Sequence, residues 1–272
     1  GMAKAEMATF QELTQAFQTC RPVQSKSDVE KLMFYLKGAF ATLAMLDYPY
    51  PTTFVTPMPG NPVEVACARM EEKYARAEIL SGLNDAMNVF VNYTGQLKCH
   101  NITMELVGSG GVGEKTTYRH HFSLQQDPSL GSIYRTWNYQ ACTELILEPL
   151  TSDGDGFYVE NKDQIAEVEA SCRRRYRNVV TRKMWMLQAF GSGKDIVKHT
   201  TNMIFSDGDK DPWYVGGVPM NQTSPDKSVF HLFITSSAHH QDLRFSDERD
   251  SDSLKQARAI ERHNIGKWLA AA

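Results

Sequence analysis

The chain has 272 residues, of which 42% are hydrophobic and 22% are charged, with 18 glycines and 11 prolines. These proportions are typical of a globular protein and exclude disordered, collagen-like and low-complexity chains. The 29 Lys and Arg residues face 32 Asp and Glu residues, and this net charge of −3 argues against a nucleic-acid-binding protein or a polybasic membrane-surface protein.

Helical patterns fill the first part of the chain. Residues 3–17 carry apolar side chains on one helical face, and residues 27–46 do the same, with Ser25 and Ser27 both suitable as the N-cap. A proline-rich loop over residues 47–62 then ends the second helix. Apolar stretches reach only about a dozen residues, which is too short for a transmembrane helix.

The middle of the chain has a less regular pattern. A third helical pattern covers residues 63–91, with a predicted break near residues 81–82, and residues 92–135 read as loops. A helix is predicted over residues 162–177 and ends in the basic run 173–177, which suits the negative end of the helix dipole. The same run could grip an anion, although a solvated helix end is the simpler interpretation.

The pattern changes near residue 195. Residues 202–205 and 229–235 are short apolar runs followed by turn signals, which predicts two strands. A helix is predicted from residue 251 onward. Strands and loops followed by a helix are the layout of the end of an α/β sheet, so the sequence predicts a helical domain followed by the last part of an α/β domain.

Cysteines and glycosylation sequons favour an oxidising compartment. Because the cysteines are too widely spaced for a zinc knuckle or a redox CxxC motif, disulfides in the secretory pathway are the favoured interpretation, and free thiols in a cytosolic protein stay open. An odd number of cysteines in a secreted protein also requires a thiol partner outside the chain. The cysteines are Cys20, Cys67, Cys99, Cys142 and Cys172, and the sequons begin at Asn92, Asn101 and Asn221.

Three further motifs give no cofactor or metal site. Residues 108–113 match GxGxxG, but the helix and the acidic residue that a dinucleotide site needs do not follow, so a loop is predicted. The pairs His120-His121 and His239-His240 each place adjacent side chains on opposite sides of an extended segment, so neither pair alone can clamp a metal. We expect no cofactor and no metal.

Asp211 and His239 form the most informative pair in the sequence. Each follows a predicted strand, and the acid precedes the histidine. Catalytic triads of α/β-hydrolases have the order Ser, Asp or Glu, then His, with the last two on loops after late strands. In such a triad the carboxylate holds the imidazole in its productive tautomer. Spacing alone leaves an ordinary Asp-Gly turn and a packed histidine as the alternative.

Four sequence blocks resemble the lysosomal Pro-Xaa carboxypeptidase and dipeptidyl peptidase II family of serine peptidases. In chain order they are LAMLDYPYP at 43–51, WNYQACTE at 137–144, FSDGDKDPW at 205–213 and AHHQDLR at 238–244. The longer stretch over residues 32–52 is more similar to the dipeptidyl peptidase branch.

This resemblance implies the C-terminal portion of an α/β-hydrolase fold together with a mainly helical cap domain. Residues 1–195 would form the inserted cap domain, and residues 196–272 the last strands and helix of the hydrolase domain. Asp211 would be the triad acid and His239 the general base, in a peptidase acting after proline or a small residue. Trp213 would lie beside the acid in the substrate site, and Asp127 would hold the substrate ammonium in the dipeptidyl branch.

The resemblance also implies disulfides and shows what the chain lacks. Family spacing pairs Cys142 with Cys172 and Cys20 with Cys99, which leaves Cys67 for a partner upstream in relatives. No serine has glycines at both positions two residues away, so the GxSxG nucleophile motif is absent. Lys210 replaces the apolar residue that usually precedes Asp-Pro-Trp. The chain therefore resembles the C-terminal part of such an enzyme, and without the serine it is expected to be inactive alone.

The sequence is compatible with two functions. The first is part of a serine exopeptidase whose partners are short peptides and a missing N-terminal hydrolase segment or chain, attached through Cys67. The second is a truncated, non-catalytic relative that acts as a binding protein. The first implies a lysosome-like or secreted location, with no nucleic-acid or membrane partner, and leaves a homodimer open.

Overall fold

The fold is known from a computed structural model. The structure describes residues 8–71, 76–103, 136–137, 139–145, 164–177, 180, 182, 185–191, 193–218, 224 and 228–271. The candidate residues Asp127 and Asn221, the glycine-rich segment 108–113 and the pair His120-His121 lie outside these ranges.

Helices dominate the described residues, and two short strands lie near the end of the chain. The helices are α1 Phe10–Ala16, α2 Lys26–Met45, α3 Pro62–Glu71, α4 Arg76–Val91, α5 Gln164–Arg175, α6 Trp185–Phe190, α7 Gly193–His199 and α8 Asp252–Ala271. The strands are β1 Met203–Gly208 and β2 Val229–Ile234. A π-helical turn covers Ala141–Leu145, and 3₁₀ turns cover Pro212–Gly216 and Gln241–Leu243. Within the described ranges, every helix is too short or too polar to cross a bilayer.

Local signals fix the starts of the first helices. Thr9 caps α1 in a reciprocal capping box with Glu12. Of the two serines considered for α2, Ser25 acts at its start, because its hydroxyl oxygen accepts a hydrogen bond from the Asp28 amide at 3.2 Å.

The break predicted near residues 81–82 is wrong. Helix α4 continues through Ser81 and Gly82 and buries Leu83 and Met87 in the next turn. A glycine inside a helix costs only about 1 kcal/mol relative to alanine, whereas burying two large apolar side chains stabilises by about 1.5–3 kcal/mol each. Packing therefore outweighs the local preference.

The chain divides into two compact units whose segments interleave. The first unit comprises Gly1–Thr42, Thr53–Met58 and Glu64–Trp185, and the second comprises Leu43–Thr52, Pro59–Val63 and Met186–Ala272. Two short early segments therefore belong to the unit that contains both strands.

Helices and disulfides build the first unit. Helix α1 packs against α4, with Leu13, Phe17 and Phe90 among the buried side chains. A disulfide joins Cys20 to Cys99, where Cys20 and His100 are also linked by a 2.9 Å backbone hydrogen bond. A second disulfide joins Cys142 to Cys172, and both cysteines are buried with Val168 in a small cluster, against which the partly buried Tyr176 packs.

A parallel strand pair with a helix on one face forms the centre of the second unit. Strands β1 and β2 pair in register from Met203 opposite Val229 to Gly208 opposite Ile234. Helix α8 packs on β2 through Leu254 and Ala257, which form a buried cluster with Ile234. Because the strands are parallel, both carboxyl ends lie at the same edge, and the loops that follow them meet there.

Candidate active site

The loops after β1 and β2 bring Asp211 and His239 into direct contact. The Oδ2 atom of Asp211 lies 2.7 Å from Nδ1 of His239. Asp211 is 6% exposed, and the side chain of His239 is 20% exposed. The acid is therefore shielded from solvent while the imidazole stays accessible.

Local backbone structure fixes the orientation of the acid. The Asp211 carboxylate caps the 3₁₀ turn that follows it, because its Oδ1 accepts a hydrogen bond from the Trp213 amide at 3.0 Å. Pro212 suits the first position of this turn, where no amide donor is needed. The Asp211 amide in turn donates to the Gly208 carbonyl at 3.1 Å. Both carboxylate oxygens are thus bound, one by the backbone and one by His239.

A close approach between the two loops depends on Gly208. A Cβ at this position would clash with the carbonyl oxygen of Ser237, so the backbone would have to move. Two hydrogen bonds hold Ser237 there, since its amide donates to Asp209 Oδ1 at 3.2 Å and its carbonyl accepts from the Lys210 amide at 3.0 Å. The acid loop and the histidine loop are therefore joined at their bases.

An early segment of the chain, Met45–Tyr48, binds the backbone of the histidine. The His239 amide donates to the Met45 carbonyl at 3.0 Å, and the Tyr48 hydroxyl donates to the His239 carbonyl at 2.7 Å. Lys210, next to the acid, donates from Nζ to Asp47 Oδ2 at 2.9 Å. Sequence reasoning used this segment as a family marker and missed these contacts.

His240 departs from the prediction made for adjacent histidines. The rings of His239 and His240 lie with centroids 3.6 Å apart, so they do not point in opposite directions. The prediction assumed extended backbone, but His240 has φ 54° and ψ 29°, in the left-handed region. Burial, followed by the neighbouring His239, lowers the pKa of the His240 imidazole.

Trp213 lies beside the pair. Its ring centroid is 6.4 Å from that of His239, and its indole Nε1–H points at the Met45 sulfur at 2.8 Å. The structure thus brings Trp213, Asp211 and His239 together, whereas Asp127 falls outside the described residues.

The pair has the geometry of a general base with its orienting acid. When Nδ1 of a neutral imidazole donates to Asp211, Nε2 carries the lone pair and can accept a proton from a hydroxyl group. The carboxylate would then stabilise the imidazolium that forms. No group of three or more His, Cys, Asp or Glu side chains in the described part of the chain is arranged to hold a metal ion.

A second Asp–His pair, which the sequence reasoning missed, lies in the sheet itself. Asp207 Oδ2 and His231 Nε2 are 2.7 Å apart, and the His231 side chain is only 2% exposed. A histidine so deeply buried cannot reach a substrate, so this pair has a structural role. Its sequence signals were His231 within the second predicted strand and Asp207 in the turn residues after the first.

Arg258 on α8 anchors the end of the histidine loop. Its guanidinium donates to the Gln241 carbonyl at 2.6 Å, to the Asp242 carbonyl at 2.9 Å and to Asp250 Oδ2 at 2.6 Å. Gln241 in turn accepts a hydrogen bond on its side-chain oxygen from the Ala238 amide at 3.0 Å, directly before His239. A buried arginine inside a helix pattern gave no separate signal in the sequence.

Two sequons and Cys67, the cysteine outside the two disulfides, lie in the described part of the chain. Asn92 and Asn101 are partly exposed, and the Asn92 side chain bonds the backbone of Leu97 while Asn101 accepts from the Thr103 hydroxyl. Cys67 is an exposed thiol outside both disulfides.

Comparison with known proteins extends the likeness over nearly the whole chain. The family model described as serine carboxypeptidase S28 matches residues 2–261. The chain is 32% identical to the lysosomal Pro-X carboxypeptidase of Bos taurus over 262 residues, covering 95% of this chain and 46% of that protein. It is also 32% identical over 261 residues to the lysosomal Pro-X carboxypeptidase of Homo sapiens, covering 96% of this chain and 47% of that protein.

A more distant relative matches a similar share of the chain. The chain is 28% identical over 256 residues to the prolyl carboxy peptidase like protein 5 of Caenorhabditis elegans, covering 91% of this chain and 46% of that protein. The chain thus spans about half the length of the curated relatives it matches.

Proposed function

The chain belongs to the serine carboxypeptidase S28 family, a family of serine peptidases with an α/β-hydrolase-like fold, and on that premise we propose that it supplies the acid and the base of a serine exopeptidase. Asp211 is the acid and His239 the general base. The observation that carries the proposal is their 2.7 Å hydrogen bond, formed by loops that follow two parallel strands.

In this mechanism His239 Nε2 takes the proton of a serine hydroxyl as the serine oxygen attacks the peptide carbonyl. The imidazolium, stabilised by Asp211, then gives that proton to the leaving amine as the peptide bond breaks. Water hydrolyses the acyl-enzyme by the same route. Because GxSxG is absent from the 272 residues, the serine and its oxyanion hole come from a segment outside them.

We propose short peptides with proline or a small residue at the specificity position as substrates. The names of the mammalian relatives, lysosomal Pro-X carboxypeptidases, support proline at this position and a lysosomal location. The likeness of residues 32–52 to the dipeptidyl branch supports release of N-terminal dipeptides, in which Asp127 holds the substrate ammonium. Trp213, beside the pair, is proposed to contact the substrate.

The partner in this proposal is the hydrolase segment that bears the serine. The exposed thiol of Cys67 supports attachment through a disulfide, because it is accessible to a second thiol. A non-catalytic relative that acts as a binding protein is the second candidate, favoured by the absence of GxSxG alone.

Labelling with a fluorophosphonate probe tests the proposal. The protein from its native source is labelled and separated by electrophoresis with and without reductant. Label on a larger species that releases this chain on reduction supports a two-chain peptidase joined through Cys67, and label on an uncut species containing it supports a single-chain one. Finding this chain alone, stable and unlabelled, would refute the catalytic role.

A matched pair of variants assigns the base. In the assembled enzyme, His239→Gln is expected to lower kcat by about 10⁶-fold, as loss of a triad histidine does. His263→Gln changes an exposed histidine on α8 and should leave kcat unchanged. Peptides with proline as the second residue from the N-terminus or from the C-terminus, with the released product identified, distinguish dipeptidyl peptidase from carboxypeptidase activity.

A further inference from the structure

The peptide backbone of His239 is held on both sides of its Cα atom by one segment, Met45–Tyr48. On the amide side, the bond to the Met45 carbonyl is 3.0 Å long, and on the carbonyl side, the bond from the Tyr48 hydroxyl is 2.7 Å long. These two contacts fix the point from which the imidazole side chain extends. The donors in these two bonds are the His239 amide and the Tyr48 hydroxyl, and a side-chain substitution can remove only the hydroxyl.

Tyr48 is itself held rigidly. Its side chain is buried, its ring lies 4.4 Å from the Arg244 guanidinium carbon, and its plane is within 9° of the Tyr50 ring at a centroid distance of 5.9 Å. Burial raises the pKa of the Tyr48 phenol, so the hydroxyl keeps its proton and remains a donor at acidic and neutral pH.

The same segment also holds the loop of the acid. Asp47 Oδ2 accepts a hydrogen bond from the Lys210 ammonium at 2.9 Å, and Asp47 Oδ1 accepts one from the Val63 amide at 3.2 Å. Lys210 directly precedes Asp211, and Tyr48 directly follows Asp47. One four-residue segment thus bonds both loops that carry the Asp–His pair.

We propose that Tyr48 is a positioning residue for His239: its hydroxyl fixes the His239 backbone so that Nδ1 stays in hydrogen-bond contact with Asp211. The catalytic consequence rests on the proposed function, whereas the hydrogen bond to Asp211 is measurable without activity. Displacement of a catalytic group by about 1 Å can lower the rate by about 10²-fold, so small backbone shifts matter.

The first test measures the Asp211–His239 hydrogen bond in the whole chain by NMR. Tyr48→Phe removes one hydroxyl and keeps the ring, and it is expected to speed exchange of the His239 Nδ1 proton with solvent by about fivefold, the factor that corresponds to one lost hydrogen bond. Tyr35→Phe is the control, since it removes another buried hydroxyl, located 3.5 Å from His100 Nδ1, and should leave that exchange unchanged.

The second test uses the assembled enzyme. Tyr48→Phe is expected to lower kcat by about tenfold with KM unchanged, because the hydroxyl bonds the backbone of the base and not a substrate. Equal Nδ1 exchange in Tyr48→Phe, Tyr35→Phe and the unaltered chain would overturn the inference. Faster exchange in Tyr48→Phe, in a protein without peptidase activity in any form, would support the positioning role and refute the proposed function.

A second variant keeps the inference testable if Tyr48→Phe does not fold. Asp47→Asn keeps an oxygen for the Val63 amide but removes the ion pair with Lys210, and it leaves Tyr48 in place. We expect a smaller acceleration of the same proton exchange, about twofold. In that case unchanged exchange in a folded Asp47→Asn protein would refute the role of this segment.

Discussion

Replacing Arg258 with Met will destabilise the second unit strongly. Arg258 and Asp250 form a 2.6 Å ion pair in which their side chains are 6% and 1% exposed. Removing one partner of such a pair leaves a buried charge without its counter-ion, which costs about 3–5 kcal/mol. The carbonyls of Gln241 and Asp242 lose their donor as well. We therefore expect Arg258→Met to lower the free energy of unfolding by about 4 kcal/mol.

Urea unfolding, followed by tryptophan fluorescence, measures this effect. With a slope of about 2 kcal/mol per molar urea, a loss of about 4 kcal/mol lowers the midpoint by about 2 M. Arg262→Met, an exposed arginine on the same helix, should change the free energy by less than about 0.5 kcal/mol.

A double variant distinguishes the cost of leaving the Asp250 charge without its counter-ion from the cost of the lost Arg258 side-chain packing. Asp250→Asn combined with Arg258→Met removes the charge that the single variant leaves behind, so the double variant should be more stable than Arg258→Met alone. A loss below about 1 kcal/mol in Arg258→Met, or a double variant that is less stable still, would refute the reasoning.

Two further predictions concern packing and pH. Gly208→Ala should lower the free energy of unfolding by about 1–3 kcal/mol because its Cβ would clash with Ser237. Gly216→Ala is the control, since a Cβ there has no other atom within 4 Å. Equal thermal midpoints for the two variants would contradict this prediction. Burial lowers the pKa of His100 to about 4 from its usual 6.5, so the unfolded chain binds the proton more readily than the folded one. Stability should therefore fall by up to about 3 kcal/mol as the pH falls from 6.5 to about 4, and a His100→Gln variant, measured by denaturation at several pH values, should lack that slope.

The local part of the site was accessible from the sequence. Apolar runs followed by turn residues predicted β1 and β2, and parallel strands place the loops after their ends at one edge. Asp211 and His239 are therefore neighbours for a reason that the pattern already contains. The disulfide partners needed the family resemblance, because spacing alone does not select among the pairings of five cysteines.

The rest depended on contacts that no local pattern records. Tyr48 bonds a residue 191 positions away, and Arg258 reads as one more polar residue of an amphipathic helix until the histidine loop is placed against it. The left-handed backbone of His240 was hidden as well, since this region is uncommon for every residue except glycine, even though histidine is enriched there. Helix α4 passes the predicted break because tertiary packing overrides the intrinsic preference of glycine.

The segments of the two units alternate along the chain, so parts of the second unit are synthesised before the first unit is complete. Leu43–Thr52 and Pro59–Val63 emerge early, yet the strands they join are synthesised only after residue 186. Translation proceeds at about 5–20 residues per second, so several seconds pass between the synthesis of these segments and the synthesis of the strands. The Cys20–Cys99 disulfide lies wholly in the earlier part and can close during that interval. Oxidation can therefore precede, in time, the assembly of the Asp–His pair, which needs the chain as far as His239.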